Sequence, residues 1–353
     1  MGSAADGVTA RLQTLDLAEH IPRAKAGASF TCQSGCSPQV DEPIKGTGTG
    51  TAQSEQISDE EAVTCCLEVK QSPGKGAGIF ATRKIVAGTC VLTERPLIIL
   101  DRPEEDDPEA IEREFRKLSK AGQRQYLRLF DAEKSRLTRV VSIYYSNCYN
   151  CDGSKEHGGS AVGAMSSRIN HSCVPNVQFS YDEARRVMTF YAIRNIPRGK
   201  EIFSNYDKAV FETAAKRMRK QRLYYGFVCD CEACRPQTDF WVRSDDRRRA
   251  MGEATRELKE LEINYEAGHR EDVRTALDTL ARLEGLLMRE GLVGLALANT
   301  YRSMAKWAER MGDMDEVWKC KSREKKVYVL CFGPEAPRVK DIDVRLAQLK
   351  VQG

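Results

Sequence analysis

The sequence predicts an α+β protein, with short strands and glycine turns in residues 61–207 and helix alone beyond about residue 238. Three observations carry that prediction. Leu67-Glu68-Val69-Lys70 alternates like a strand, Ser72 to Gly78 is a turn, and Ile79-Phe80-Ala81 resumes extended chain. A second turn at Ala87-Gly88-Thr89 then leads to a third strand from Val91 to Pro96. Past Thr238 the alternation stops, and glycines at 268, 291 and 312 separate helical stretches near 245–266, 271–289, 293–311 and 314–331. Between the two regions, Cys229-Asp230-Cys231-Glu232-Ala233-Cys234 sets three thiols on one tight turn.

At 353 residues the chain can hold two ordinary domains. Its 55 basic residues against 51 acidic ones leave a formal charge of +4, too balanced for a nucleic-acid binder, which needs a concentrated patch. The runs Arg247-Arg248-Arg249 and Arg323-Glu324-Lys325-Lys326 read as solvated helix faces. No early segment joins a basic start to a long apolar run, and Asp6 stands where a myristoylation signal wants Ser or Thr. The longest apolar runs are too short to cross a bilayer, so no membrane role is expected. Thirteen cysteines then point to thiolates on metal plus buried free thiols, and to nucleus or cytoplasm.

Residues 1–60 are rich in Gly, Ser, Thr, Ala and Gln without a sustained period, and read as a disordered leader. Cys32 and Cys36 within it lack a second pair and read as stray thiols. After the third strand, an acidic linker from Asp101 to Asp107 leads to a helical insertion over 108–140. There the apolar residues from Ile111 to Phe130, broken by Gly122, suggest two short amphipathic helices. Gly158-Gly159 reads as a glycine-rich loop. Val177 to Tyr181 and Val187 to Ala192 alternate as strands, and Pro197 and Gly199 turn the chain into Glu201 to Tyr206. A basic helix near 212–221 precedes the cysteines. Farther on, Ala296, Thr300, Met304, Trp307 and Met311 approximate one apolar stripe that reads as core, and Asp313 suits an N-cap. The helix pairs resemble tetratricopeptide hairpins. About two of them are too few to stand alone, so they should pack on the preceding domain.

The most informative stretch is Arg168-Ile169-Asn170-His171-Ser172-Cys173-Val174-Pro175-Asn176. A solvated turn has no use for His and Cys at its centre, and a core would not choose Asn-His-Ser beside a cysteine. The run matches Asn-His-Ser-Cys-x-Pro-Asn, the signature of SET-domain protein lysine methyltransferases, and the chain from Leu67 to Cys234 resembles that family. The arrangement is similar to the SET-and-MYND class. It departs from that class because no cysteine lies between Cys90 and Cys148, so the MYND finger is missing, as in fungal-type SET proteins with a helical C-terminal region. The resemblance implies a SET domain over 61–207, a β-clip of small sheets with a pseudoknot. It implies a zinc-binding post-SET segment over 208–238 and an all-α, TPR-like region over 239–353.

It also implies a site. Three thiols are one short of a tetrahedral shell, and the family supplies Cys173 to join Cys229, Cys231 and Cys234. Cys148 or Cys151 is the other candidate for the fourth ligand. The Zn2+ ion would be structural, since four thiolates leave no open position. By the same resemblance the cofactor is S-adenosyl-L-methionine. Gly74, Lys75 and Gly76 sit where the family's opening turn lets backbone approach the methionine end. Asn170 and His171 would hold the cofactor partly through backbone groups, Asn147 would join them, and Phe227 would pack on the adenine. Tyr206, ending Glu201-Ile202-Phe203-Ser204-Asn205-Tyr206, takes the place of the catalytic tyrosine beside the cofactor. Tyr225 would be the second tyrosine of the lysine channel, with Tyr224 in its place if the register slips by one.

The chemistry explains the phenols. Methyl transfer from a sulfonium needs a neutral amine in line with the S–CH3 bond, so the site must align and desolvate. A tyrosine hydroxyl holds the amine without adding full charge, the nearby sulfonium lowers the lysine's pKa, and aromatic walls suit an alkyl stem and a cationic head. Only four histidines are present, which fits a reaction that needs no Asp–His dyad. The expected function is protein-lysine N-methylation, on a histone or another protein substrate. A second reading is a catalytically silent SET-fold module that binds protein partners through its helical region. Tyr206, the Asn-His pair and the glycine turn are all intact, which favours the enzyme.

Overall fold

The computed structural model describes residues 66–134, 136–151, 158–207, 210–266 and 268–352. The expected leader over 1–60, with Cys32 and Cys36, lies outside the described residues. Strands β1 (Leu67–Ser72) and β2 (Gly76–Ala81) form an antiparallel hairpin. Its turn needs glycine, because Gly74 and Gly76 both have φ above +70°. Strand β3 (Cys90–Glu94) pairs with β9 (Val187–Ala192), which also pairs with β8 (Val177–Asp182). A second three-stranded sheet has the order β4 (Ile98–Asp101), β6 (Gly159–Val162), β5 (Tyr149–Cys151).

The last pairing is parallel. Strand β10 (Phe203–Ser204) lies beside β7 (Asn170–His171), with Phe203 opposite Asn170 and Ser204 opposite His171. The loop after β7 closes over it: Ser172 N–H donates to the Ser204 carbonyl and Asn176 N–H to the Phe203 carbonyl. The Asn176 side chain bonds the backbone of Glu201 and Phe203 as well, which is a structural use for the motif's second Asn. Ile79, Val91, Phe190 and Ile202 are buried beneath these sheets.

The insertion contains α1 (Pro108–Lys117), α2 (Lys120–Tyr126) and α3 (Arg139–Asn147), packed on Ile98 and Val162 through Ile111, Tyr126 and Ile143. The break between α1 and α2 falls at Leu118-Ser119 rather than at Gly122. Ser119 Oγ accepts from the Gly122 N–H, so an N-cap starts the second helix and places the glycine inside it. The third helix was not expected. Its run Val140 to Tyr145 is apolar on most faces and carries no period, and only the Thr138 cap marks its start. Strand β6 replaces the expected glycine loop. A Cβ on Gly159 would lie 2.0 Å from the Leu100 carbonyl, so glycine there serves close strand approach rather than a turn.

Helix α4 (Ala214–Tyr225) ends at Gly226, which has φ +73°. The helical region then runs α5 (Asp239–Asn264), α6 (Arg270–Glu290), α7 (Leu295–Met311), α8 (Met314–Phe332) and α9 (Pro337–Gln352), each packing on the next through α8 and α9. Helix α5 begins six residues before the expected 245, where Thr238 caps it, and α9 falls within the expected all-α region but beyond the last stretch delimited in the sequence. Asp313 caps α8 as expected, through the Glu316 N–H. This region packs on the strands, with α8 against β8 and β9.

Each charge run is only partly a solvated face: Arg249, Arg323 and Lys326 are exposed as expected, whereas Arg248 and Glu324 are buried. Arg248 and Glu290 are fully buried and paired at 2.8 Å, while Arg247 and Ser244 complete the carboxylate's bonds. Arg248 also donates to the carbonyl of Cys173 at 2.9 Å and to that of Val210, so α5 reaches into the motif loop. In the second run Glu324 is buried and paired with Arg302 and Lys321. Spacing could not reveal this, because a basic run looks the same whether it meets water or a buried acid.

Candidate active site

Four sulfurs converge. Those of Cys173, Cys229, Cys231 and Cys234 all lie within 4.8 Å of one another, with Cys173 4.0 Å from Cys229 and 3.5 Å from Cys234. Tetrahedral thiolates at about 2.3 Å from zinc would stand about 3.8 Å apart, so the spacing fits that ion. Neither alternative ligand belongs to the cluster. Cys148 lines a separate cavity, where burial pushes its thiol up to about 12, and Cys151 is buried in the sheet core.

The surroundings fit a centre of negative charge. Arg217 is 2% exposed, yet it meets no carboxylate closer than Asp245 at 4.0 Å. Its guanidinium instead donates to Cys234 Sγ at 3.4 Å and to the Ala233 carbonyl. A buried cation needs a charge partner, and thiolates supply one. Arg217 and Gln221, the latter 3.0 Å from His171 Nε2, went unnoticed in the sequence because both lie on a helix that reads as uniformly basic.

His171 joins this cluster to the tyrosines. Its Nε2 is 3.3 Å from Cys173 Sγ, and its Nδ1 accepts from the Tyr206 N–H at 3.1 Å. Asn170 is likewise occupied, donating to Glu201 Oε1 and to the Ala77 carbonyl. His171 is buried and Asn170 half-buried, with its amide nitrogen committed. Glu201 lies close over Gly78, where a Cβ would force its carboxylate to shift.

The rings of His171, Tyr206, Tyr225 and Phe227 form one group, with Tyr206 5.1 Å from His171, 5.2 Å from Tyr225 and 6.4 Å from Phe227. The Tyr206 hydroxyl donates to the Ile169 carbonyl at 2.7 Å. Burial raises both Tyr206 and Tyr225 well above the ordinary phenol value, so both stay neutral at physiological pH. The glycine turn leads into β2, whose Ala77 carbonyl accepts from Asn170. Lys75 pairs with Asp230 at 2.8 Å, tying the turn to the cysteine loop, and its ammonium lies 5.1 Å from the Phe203 ring. Gly74 and Gly76 are exposed, and a Cβ on either would touch nothing within 4 Å, so glycine there serves the positive φ and not close packing.

A cavity of about 1030 Å3 lies between the strands and the helical region, with Tyr206 and Tyr225 on its wall. Tyr224 does not line it. Asn147 does, but its amide nitrogen is committed to the carbonyls of Ile143 and Phe130. Leu258, Leu295 and Trp307 face it from α5 and α7. On the α7 stripe, Ala296, Thr300 and Trp307 line the cavity, and Met304 is buried in the core.

Small sheets joined by a short parallel pairing, a four-cysteine cluster and a half-buried tyrosine pair define a SET-type architecture, and the comparisons agree. Residues 76–207 match the SET domain family. The chain is 32% identical over 162 residues to histone-lysine N-methyltransferase set5 of Schizosaccharomyces pombe, covering 46% of this chain and 48% of that protein. It is 30% identical over 193 residues to the SET domain-containing protein L678 of Acanthamoeba polyphaga mimivirus, covering 45% of this chain and 74% of the relative. It is 30% identical over 132 residues to N-lysine methyltransferase SMYD2-B of Danio rerio, covering 37% and 30%. The chain belongs to the SET-domain family. It spans about half the length of set5 and under a third of SMYD2-B.

Proposed function

We propose that the protein is an S-adenosylmethionine-dependent protein-lysine N-methyltransferase. The observation that carries this reading is the neutral pair Tyr206 and Tyr225, on the wall of a large cavity and backed by the ring of Phe227. The methyl donor would lie along Gly74, Lys75 and Gly76, against the backbone of Asn170 and His171 and the ring of Phe227. When bound, it supplies an electrophilic methyl group on a sulfonium. The chain's own residues do the rest. The wall of the cavity would take up the protein substrate, and the two phenols would enclose its lysine stem and strip it of water. Tyr206, anchored by its donor to Ile169, keeps lone pairs free to accept from the amine and align it. Zn2+ would be held by Cys173, Cys229, Cys231 and Cys234 and would clasp the post-SET segment to the motif loop.

The substrate would be a protein bearing a target lysine, histone or otherwise, with further protein partners through the helical region and a nuclear or cytoplasmic setting. Among the described residues no helix is long and apolar enough to cross a membrane. Transfer of labelled methyl groups to proteins of a cell extract tests the reading, with Tyr206→Phe as control. Transfer by the wild type and a loss on the order of 100-fold in the variant are expected. Cofactor binding without transfer to any protein would instead favour the silent interaction module.

A further inference from the structure

The loop between α2 and α3 carries a lysine with no part in the chemistry above. Lys134 is only 4% exposed, and its ammonium donates to the Tyr224 carbonyl at 3.0 Å. Tyr224 lies in the last turn of α4, where carbonyls lack intrahelical partners and a cation is favoured. A loop that merely joined two helices would turn its lysine to water.

The loop is instead fastened so that this reach is fixed. Lys134 N–H donates to Ser142 Oγ at 3.0 Å, and Ser142 Oγ donates to Asp131 Oδ1 at 2.5 Å. One turn along α3, Ser146 Oγ accepts from the Ala132 N–H, and Asn147 donates to the Phe130 carbonyl. Glu133 and Arg136, either side of the lysine, hold φ of 49° and 67° without being glycine. Such backbone persists where its surroundings over-determine it.

We propose that Lys134 is a positioning residue: by capping α4 at Tyr224 it fixes Tyr225 in the lysine channel. Among the described residues the Tyr225 hydroxyl makes one long hydrogen bond, 3.4 Å to the Tyr206 carbonyl, so the position of its backbone, with the packing of its ring on Tyr206 and Phe227, sets where the phenol sits. The helical insertion thereby sets the width of the channel, and channel width limits how many methyl groups a lysine can carry through it. The inference rests on the methyltransferase reading.

The test compares wild type, Lys134→Met, Lys134→Arg and the milder Ser142→Ala on a methyl-accepting lysine peptide. Lys134→Met should lower kcat about tenfold with peptide KM little changed, and shift the ratio of mono-, di- and trimethylated product read by mass spectrometry. Lys134→Arg, which keeps a donor, should restore most of both, and Ser142→Ala should move both in the same direction by less. Loss of thermal stability with kcat and product ratio unchanged would overturn the proposal. If the wild type transfers no methyl, the functional reading fails instead. Hydrogen exchange over residues 222–227, which needs no activity, then decides the cap: faster exchange in Lys134→Met supports it, and unchanged exchange rejects it.

Discussion

Cys173 shows how much one position carries. Its sulfur joins three others from a segment more than fifty residues away, and its carbonyl takes a hydrogen bond from buried Arg248. Cys231→Ser should cost about one equivalent of zinc per chain by metal analysis. Arg217→Met should release zinc to a chelator faster than wild type, with Arg217→Lys intermediate, because it strips the thiolates of their buried cation. The cysteines and the Asn-His pair were legible because the motif is contiguous and its spacing unusual. Arg217, Gln221 and Glu201 were not, since nothing local distinguishes a buried polar side chain from a solvated one.

At the scale of elements, caps outweighed breakers. Gly122 reads as an interruption, yet Ser119 one turn earlier decides where the helix starts. Ser119→Ala should destabilise by about 1 kcal/mol. Gly122→Ala should stabilise by roughly 0.5–1 kcal/mol, since the new Cβ meets only ordinary contacts, the nearest at 3.4 Å. Denaturant titration reads both, and opposite signs are the expected result. The amphipathic helices of the C-terminal region and the alternating strands were visible in the sequence through their periods. Helix α3 and strands β4 to β6 were hidden because short apolar runs fit helix and strand equally well.

For the whole molecule, the helical region is fastened to the motif loop by a buried charge cluster. Glu290→Gln leaves Arg248 unpaired in the interior and should cost about 3–5 kcal/mol, read as a lowered unfolding midpoint. Alkaline pH should also unfold the protein. Burial raises the phenols of Tyr126, Tyr144, Tyr149, Tyr206 and Tyr225 above their ordinary value of 10. Above about pH 10 the unfolded chain binds fewer protons than the folded one, so the stability present below that pH is lost as pH rises. Calorimetric titration of S-adenosylmethionine into zinc-loaded and zinc-stripped protein tests most directly whether the sulfur cluster builds the donor pocket. Saturable binding of about one equivalent, abolished by stripping and restored by zinc, is the predicted result. No binding to the loaded protein, or binding indifferent to the metal, would contradict it.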